Sequence, residues 1–446
     1  MDVEEEWIKD LGDGLVLRHG RATDGERLGE FNAIIHKDEG TSDPDYLVGA
    51  WTRDLMSGRH PDFRPEDATV VEHQPTGKII SSICLISQTW SYEGLTFPMG
   101  YPELVGTDPE YRGRGLIREQ FTVLHQWSEK RGHKLQAIAG IPYYYRLFGY
   151  EMALDLGGGQ AGFEPQIPVL PKGQKEPYLI RPAVEADLTE IGRWYDQGTK
   201  RSLVNCVRRI DHWRHDVFEK SNDNVDRRII RVIENRTGER VGFISHPVNL
   251  WGSVFACNLF ELEQGVSYVD VTPSVMRYLW ATGKKLARQN KKRLTSIEFN
   301  LGAEHPVYQA AAGCLPVKRN PYAFYIRVPN LPDFIQSIAP VIEKRIQTSP
   351  VVTGYSGEIK LGFYRDGLRL ILERGKLVTV SSWKGTHSDN PDVLFPDLTF
   401  LQLLFGYRSL DELDYGFADC GIQKEAARPI LQAMFPKQHS HILPTS

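Results

Sequence analysis

Apolar positions along the chain switch repeatedly between a period of two and a period near 3.6, which predicts strands alternating with helices. Leu15-Val16-Leu17-Arg18 reads as a strand, Glu26 to Ile35 as a helix, and Ala68 to His73 with Ile79 to Gln88 as a hairpin around Pro75-Thr76-Gly77. Ile117, Phe121, Leu124 and Ser128 recur at helical spacing, and Ile138 to Ile141 reads as a short strand. This mixed order predicts an α/β fold. Gly157-Gly158-Gly159 and the Gly/Pro-rich stretch up to Pro177 then mark a linker. The pattern restarts at Tyr178 to Leu188, which echoes Leu15 to Arg18 with its charged helix start and suggests an internal repeat. Val266 to Pro273 reads as a strand running into a proline, followed by a helix at Val275 to Arg288 and a strand at Leu294 to Phe299. Beyond Val328-Pro329-Asn330-Leu331-Pro332, an amphipathic helix at Asp333 to Ile346 precedes strands at Glu358 to Tyr364, Leu368 to Glu373 and Leu377 to Ser381. Leu398 to Gly406 reads as a glycine-capped helix.

A length of 446 residues suggests about three domains at ~150 residues each. The net charge of −4 gives no global attraction to nucleic acid, and Lys291-Lys292-Arg293 reads as a solvated helix end. Met1 to Glu6 is acidic, the opposite of a signal-peptide start, and no apolar run reaches the ~18 residues that span a bilayer. The expectation is a cytoplasmic protein without a membrane or nucleic-acid partner. The five cysteines are scattered without Cys-x-x-Cys spacing, which argues against a disulfide scaffold or a zinc site. His439-Ser440-His441 is a weak metal pattern, and no metal is expected.

One segment carries chemistry. Val105-Gly106-Thr107-Asp108-Pro109-Glu110-Tyr111-Arg112-Gly113-Arg114-Gly115-Leu116-Ile117 reads as a strand end, a sharp basic glycine loop and a helix start. Pro109 cannot donate to a strand partner, while Gly113 and Gly115 can take backbone angles closed to other residues and let a ligand approach the main chain. The first turn of the following helix has free N–H groups at the positive end of its dipole, a cradle that suits a pyrophosphate. The spacing lacks both the Gly-Lys-Ser/Thr ending and the three-glycine dinucleotide pattern, which argues against ATP and NAD. The plainer alternative is an ordinary strand-to-helix turn with solvated arginines.

The order Arg112-x-x-Gly115-x-Ile117 closely resembles the acetyl-CoA loop of the GNAT N-acetyltransferases, Arg/Gln-x-x-Gly-x-Gly/Ala, with Ile117 departing from the last position. Tyr144-Tyr145-Arg146-Leu147-Phe148-Gly149-Tyr150 resembles the short aromatic helix of the same superfamily. The resemblance implies that Tyr145 donates a proton to the departing CoA thiolate, and a phenol with a pKa near ~10 is protonated for that task at neutral pH. Acetyl-CoA is then the cosubstrate: Val105, Gly106 and Thr107 align the thioester, and Gly113, Arg114, Gly115, Leu116, Ile117 and Arg118 hold the pyrophosphate. Arg112, Gly140 and Ile141 complete the residues expected against it.

The C-terminal helix and hairpins resemble the sterol-carrier-protein-like module of Eis-type acetyltransferases. The expected organisation is a GNAT domain at 1–160, a linker at 161–177, a degenerate GNAT-like domain at 178–330 and a sterol-carrier-like domain at 331–446. In the second unit Ser274-Val275-Met276-Arg277 stands where the first has Arg112-Gly113-Arg114-Gly115, and it cannot make the same open cradle. The resemblance implies direct transfer of acetyl to a primary amine on a small molecule or a lysine, aminoglycosides or polyamines among them. It also implies a terminal carboxylate, here that of Ser446, as base, and a ring-like homo-oligomer such as a hexamer. His439 or His441 acting through a water is the rival base. Asp38, Glu39, Glu261 and Glu263 are candidates for an acidic acceptor wall. A non-catalytic acyl-CoA or lipid-binding protein and an acyltransferase for longer chains are the competing functions.

Overall fold

Arg18 and Arg181 begin the same local structure twice. Arg18 holds both oxygens of Asp24, at 2.7 and 2.9 Å, and reaches Glu72 on the neighbouring strand. Arg181 holds Asp187 at 2.6 and 3.0 Å and reaches Glu234 in the same way. In both places the aspartate accepts a backbone N–H three residues before it, so each carboxylate sets the start of the helix that follows. The echo read at Tyr178 is therefore structural.

The computed structural model describes residues 8–38, 40–385 and 389–446. The acidic start Met1 to Glu6 and Glu39 lie outside the described residues. A mixed sheet runs in the order Ile8–Gly12, Leu15–His19, Ala68–His73, Lys78–Tyr92, Leu95–Thr107, Leu135–Ile138, Tyr322–Arg327 and Glu151–Leu156, with Val204–Cys206 added along Lys78–Tyr92. Two four-stranded sheets repeat this order: Tyr178–Pro182, Arg228–Asn235, Arg240–Pro247 and Leu259–Leu262 in one, and Val254–Cys257, Ser296–Phe299, Gly159–Phe163 and Val317–Arg319 in the other. The fold is mixed α/β.

Each unit gives the other a strand. Tyr322–Arg327 lies between Leu135–Ile138 and Glu151–Leu156 in the first sheet, antiparallel to both. Gly159–Phe163 lies between Ser296–Phe299 and Val317–Arg319, far along the chain from its own start. The linker expected at 161–177 is corrected at its start, because residues 159–163 form a central strand. A strand that short and glycine-rich has no side-chain periodicity to reveal it.

Three other expectations change. Val266 to Pro273 is the start of a helix, Tyr268–Gln289, not a strand; the Ser267 side chain caps it, and Pro273 sits inside it. Val271, Val275, Met276 and Leu279 are buried along one face, and this packing outweighs the single backbone bond that Pro273 cannot make. The helix expected at 333–346 is split into Leu331–Ser337 and Ala339–Thr348. Ile138 to Ile141 is strand only to Ile138.

The C-terminal residues form a five-stranded sheet in the order Lys376–Trp383, Gly367–Glu373, Gly357–Gly362, Val393–Leu394 and Gly421–Ile422. They dock on the first sheet through aromatic rings. Phe334 packs on Tyr92 and Phe97 at 6.3 and 5.4 Å, Phe405 packs on Tyr92, and the Tyr92 hydroxyl donates to the Leu404 carbonyl at 2.8 Å. Among the described residues no helix is long and apolar enough to cross a membrane, and no group of three His, Cys, Asp or Glu could hold a metal.

The strand exchange makes a direct prediction. A methyl group on Gly159 would stand 1.9 Å from the Phe299 carbonyl oxygen. Gly159→Ala must push the two strands apart and is expected to lower stability by about 2–3 kcal/mol, read as a fall in the urea midpoint. An unchanged midpoint would show that this pairing contributes little.

Candidate active site

Leu95–Thr107 and Leu135–Ile138 are parallel neighbours that pair only at Met99 with Leu135 and Gly100 with Gln136. Beyond Gly100 the longer strand stays with Lys78–Tyr92 and leaves the shorter one. A bulge drives the separation. Between the pairs Cys84 with Glu103 and Ser82 with Gly106 the longer strand carries an extra residue, and Leu104 takes a left-handed φ of 52°. Such a strained non-glycine residue persists only where its surroundings hold it. Here a buried polar network does so: Ser81 Oγ lies 2.8 Å from the Gly106 carbonyl and from Thr107 Oγ1, and 2.6 Å from Gln120 Oε1, while Gln120 Nε2 donates to the Thr69 hydroxyl at 2.9 Å.

The same network fixes the glycine loop. Gln120 belongs to the helix Leu116–Lys130, so its bonds tie the first turns of that helix to the strand end. Gly106 is packed so closely that a Cβ would stand 2.8 Å from Ile35 Cγ2. Gly113 and Gly115 are different: both have φ of 78°, and no heavy atom lies within 4 Å of where a Cβ would be. Their glycines are required by backbone angle, and the space beside them is open. Arg112, Gly113, Arg114, Gly115 and Arg118 are all exposed around that space, with Leu116 buried beneath and Ile117 half-buried. Arg114 reaches Asp13 at 3.5 Å, whereas Arg112 and Arg118 form no ion pair among the described residues. An open, left-handed, basic turn at the N-terminus of a 15-residue helix fits an anionic phosphate group.

Tyr145 lies in a short helical turn, Tyr144–Phe148, and is only 4% exposed. Rings of Phe121, Tyr144, Tyr150 and Tyr325 surround it at 5.2–6.3 Å. Gly140, with φ of 148°, lets the phenol lie against the backbone: a Cβ there would be 3.2 Å from the Tyr145 hydroxyl. That hydroxyl has no hydrogen-bond partner among the described residues. Burial, then the charge of Glu103, push its pKa well above the usual phenol range, so the proton stays on. Ile141 is 63% exposed, and its carbonyl accepts from the Tyr325 hydroxyl at 3.0 Å.

Glu103 and Tyr325 are residues that sequence reading missed. Burial pushes the Glu103 carboxyl up to about 7, with the Asp226 charge adding to the rise and hydrogen bonds from Tyr101 and the Leu104 N–H opposing it. Its sequence signal is faint: an acid inside an otherwise apolar strand, directly before the loop. Tyr325 has none, because its neighbourhood depends on the strand exchange.

The tail is docked. Arg208 donates to the carbonyls of Leu443 and Pro444, Gln88 donates to that of Thr445 at 2.5 Å, and the Ser446 hydroxyl donates to Asp226 at 2.6 Å. Asp226 in turn faces Lys220 and Arg228, each at 2.9 Å. Ser446 therefore shares Asp226 with the electrostatic surroundings of Glu103, although no contact joins it to Tyr145. The histidines sit elsewhere. His439 is bonded to Asp155 at 2.7 Å, and the His441 N–H donates to Ser202. Of the acids expected in an acceptor wall, Asp38 is exposed, Glu261 is paired with Arg201, and Glu263 is held by Arg193 and the Trp194 indole.

Comparison with known proteins follows the same outline. Residues 41–153 match the acetyltransferase (GNAT) domain family. No curated protein matches the chain by sequence. Among solved structures, a conserved Enterococcus faecalis protein of unknown function, termed a probable N-acyltransferase, superposes with a TM-score of 0.64 at 13% identity, covering 97% of this chain and 100% of that one. A GCN5-related N-acetyltransferase from Anabaena variabilis gives 0.62 at 13% identity, covering 96% and 99%. Eis1 from Mycobacterium abscessus gives 0.60 at 12% identity, also covering 96% and 99%. The chain thus carries a GNAT acetyltransferase domain within residues 41–153, set in a fold that these three structures share over nearly their whole length.

Proposed function

We propose that the protein is an N-acetyltransferase that moves acetyl from acetyl-CoA to a primary amine by direct attack. The observation that carries this reading is the parting of Leu95–Thr107 from Leu135–Ile138, with the open basic glycine loop at one side and the buried Tyr145 phenol at the other. The loop N–H groups of Gly113 to Arg118 suit the pyrophosphate, with Arg112 and Arg114 adding charge. Backbone groups of Val105, Gly106 and Thr107, on the segment that has parted from Leu135–Ile138, suit the acyl carbonyl. Tyr145 protonates the leaving thiolate, and its raised pKa keeps it in the acid form at any working pH. Four of the five thiols, Cys84, Cys206, Cys257 and Cys420, are buried, and burial pushes Cys206 up to about 11, which makes them poor nucleophiles.

An ammonium acceptor must lose a proton before it attacks. Glu103 is the group best matched to that step, because a carboxyl near 7 is half-ionised at neutral pH and close in basicity to what it must accept. The carboxylate expected from Ser446 is the alternative, supported by the tail docking at Asp226. The repeated strand order and the paired Arg–Asp–Glu clusters support reading residues from 178 as a second GNAT-like unit without a cradle. The C-terminal sheet and helices support the sterol-carrier-like reading of residues from 331. Cytoplasmic location and a homo-oligomer are part of the same proposal by resemblance.

CoA release on mixing acetyl-CoA with aminoglycosides, polyamines and lysine peptides tests the reading. Tyr145→Phe is expected to lower kcat about 10²-fold or more while acetyl-CoA still binds. Wild-type binding without transfer to any amine would favour the acyl-CoA-binding protein instead. The pH profile separates the bases. If Glu103 is the base, kcat rises through pH ~7 in wild type, and Glu103→Gln abolishes that limb. A limb kept in Glu103→Gln and lost in a chain lacking Thr445 and Ser446 returns the role to the tail.

Stability gives a check that needs no substrate. The Glu103 carboxyl is raised in the folded state above its unfolded value near ~4.3, so its ionisation opposes folding. That cost is absent below pH ~4 and complete above pH ~7. The urea midpoint of Glu103→Gln relative to wild type should therefore increase from pH 4 to pH 8. A difference independent of pH would mean that Glu103 is not raised.

A further inference from the structure

A second cavity lies away from Tyr145, in the unit that begins at residue 178. It has a volume of about 490 Å³ and opens between the helices Leu188–Thr199 and Ile210–Arg214. Leu188, Gly192, Gln197, Arg208, Ile210 and Trp213 line it. Two of these carry buried donors with nothing to donate to: the Trp213 indole N–H and the Arg208 Nε–H. Trp213 is 1% exposed and Arg208 is 5% exposed. Unpaired buried donors are rare, and each costs stability when left without an acceptor.

The rest of both side chains is fully engaged, so neither is loose. Trp213 packs edge-on against Tyr195 and Phe243, and the Arg208 guanidinium lies 4.9 Å over the Trp213 ring. Arg208 Nη1 donates to Asp216 at 2.6 Å, and Nη2 donates to the tail carbonyls of Leu443 and Pro444. Asp216 must also answer Lys220 at 2.9 Å, so Arg208 is not neutralised by a carboxylate of its own. Gly192 stands over the indole: the closest atom to a Cβ placed there would be Trp213 Nε1, at 3.5 Å. With glycine at 192, no side chain stands against the indole nitrogen from that position.

We propose that this cavity is a binding site for a small organic carboxylate with an apolar body. Two buried N–H donors without partners, one of them on a cation, match the two oxygens of a carboxylate. Leu188, Ile210 and the indole give an apolar wall for the remainder of the ligand. Two donors are too few for a phosphate dianion, which asks for more hydrogen bonds or a helix N-terminus. The rim adds Lys200 and Asp196, whose opposite charges leave the selection to the buried pair. Arg208 places one edge in this site and another on the docked tail, so an occupant touches the residue that seats Leu443 and Pro444.

The experiment uses the full chain labelled with ¹⁵N-tryptophan, with Trp213→Phe identifying the Trp213 indole resonance. Sodium benzoate is titrated, with benzyl alcohol and inorganic phosphate in parallel. The expected result is a saturable shift of the Trp213 indole with benzoate alone, and an affinity at least tenfold lower in Gly192→Ala. That variant puts a methyl group where the ligand oxygen would sit, and alanine is favoured over glycine in a helix interior, so the fold is retained. The other indole resonances report that directly. No saturable shift, or one undiminished in Gly192→Ala, overturns the site; saturation by phosphate or benzyl alcohol without benzoate overturns the ligand class. Acetyl transfer is not read, so this result is separate from the proposed activity.

Discussion

The strand Tyr322–Arg327 holds the candidate site together from the far side of the chain. Inserted between Leu135–Ile138 and Glu151–Leu156, it pairs with both and holds in place the strand that borders the opening beyond Met99 and Gly100. Its Tyr325 ring lies 5.3 Å from Tyr145, and its hydroxyl ties down the Ile141 carbonyl at the start of the tyrosine turn. The phenol is thus positioned by two units. Neither sheet is complete alone, because Gly159–Phe163 makes the reciprocal crossing. Non-local exchange of this kind is slow to form but cooperative once formed, since loss of one strand opens both sheets.

The docked tail rests on buried charge. Arg208, Lys220 and Arg228 surround Asp216 and Asp226, and the tail enters through main-chain carbonyls at Arg208 and a hydroxyl at Asp226. Such a network adds little net stability over an apolar core, but removal of any one charge leaves a partner buried and unpaired. Its benefit is specificity: few other positions satisfy Arg208 and Asp226 together. Glu103 feels the same field, since the Asp226 charge helps hold its carboxyl near neutrality.

Local features of the site were legible in the sequence and distant ones were not. Gly113 and Gly115 are needed for backbone angles that only glycine takes easily, and such a need is visible in residue type alone. Arg18 and Arg181 each act within six residues, so the repeat could be read from one stretch. By contrast, Glu103 differs from other strand-borne acids through its burial and through Asp226, which arrives from far along the chain. The Gly159 strand has no periodicity to offer, and Val266 to Pro273 misled because β-branched residues and a proline suggest a strand end. Burial of Val271, Val275 and Leu279 against neighbouring elements overrode that local preference.

The unit that begins at residue 178 differs from the first at the positions of the candidate site. It has a similar strand order, and its long helix also follows a glycine turn, Gly265 with φ of 89° and open space beside it, but the Ser267 side chain caps that helix and no arginine flanks the turn. Tyr308 follows its short strand much as Tyr145 follows Leu135–Ile138, but the Tyr308 hydroxyl donates to backbone carbonyls of Phe299 and Gly302 at 3.0 and 2.9 Å. Glu261 is equally committed, paired with Arg201 and beside His305. The Tyr308 hydroxyl and Glu261 are thus already satisfied by protein. In the first unit the corresponding groups are left open: a phenol with no partner, two glycines facing empty space, and a carboxyl poised between its two states. Unsatisfied groups cost stability, and a fold keeps them where a ligand completes them. The proposed role of Tyr145 draws on this difference between the two units rather than on the strand order they have in common.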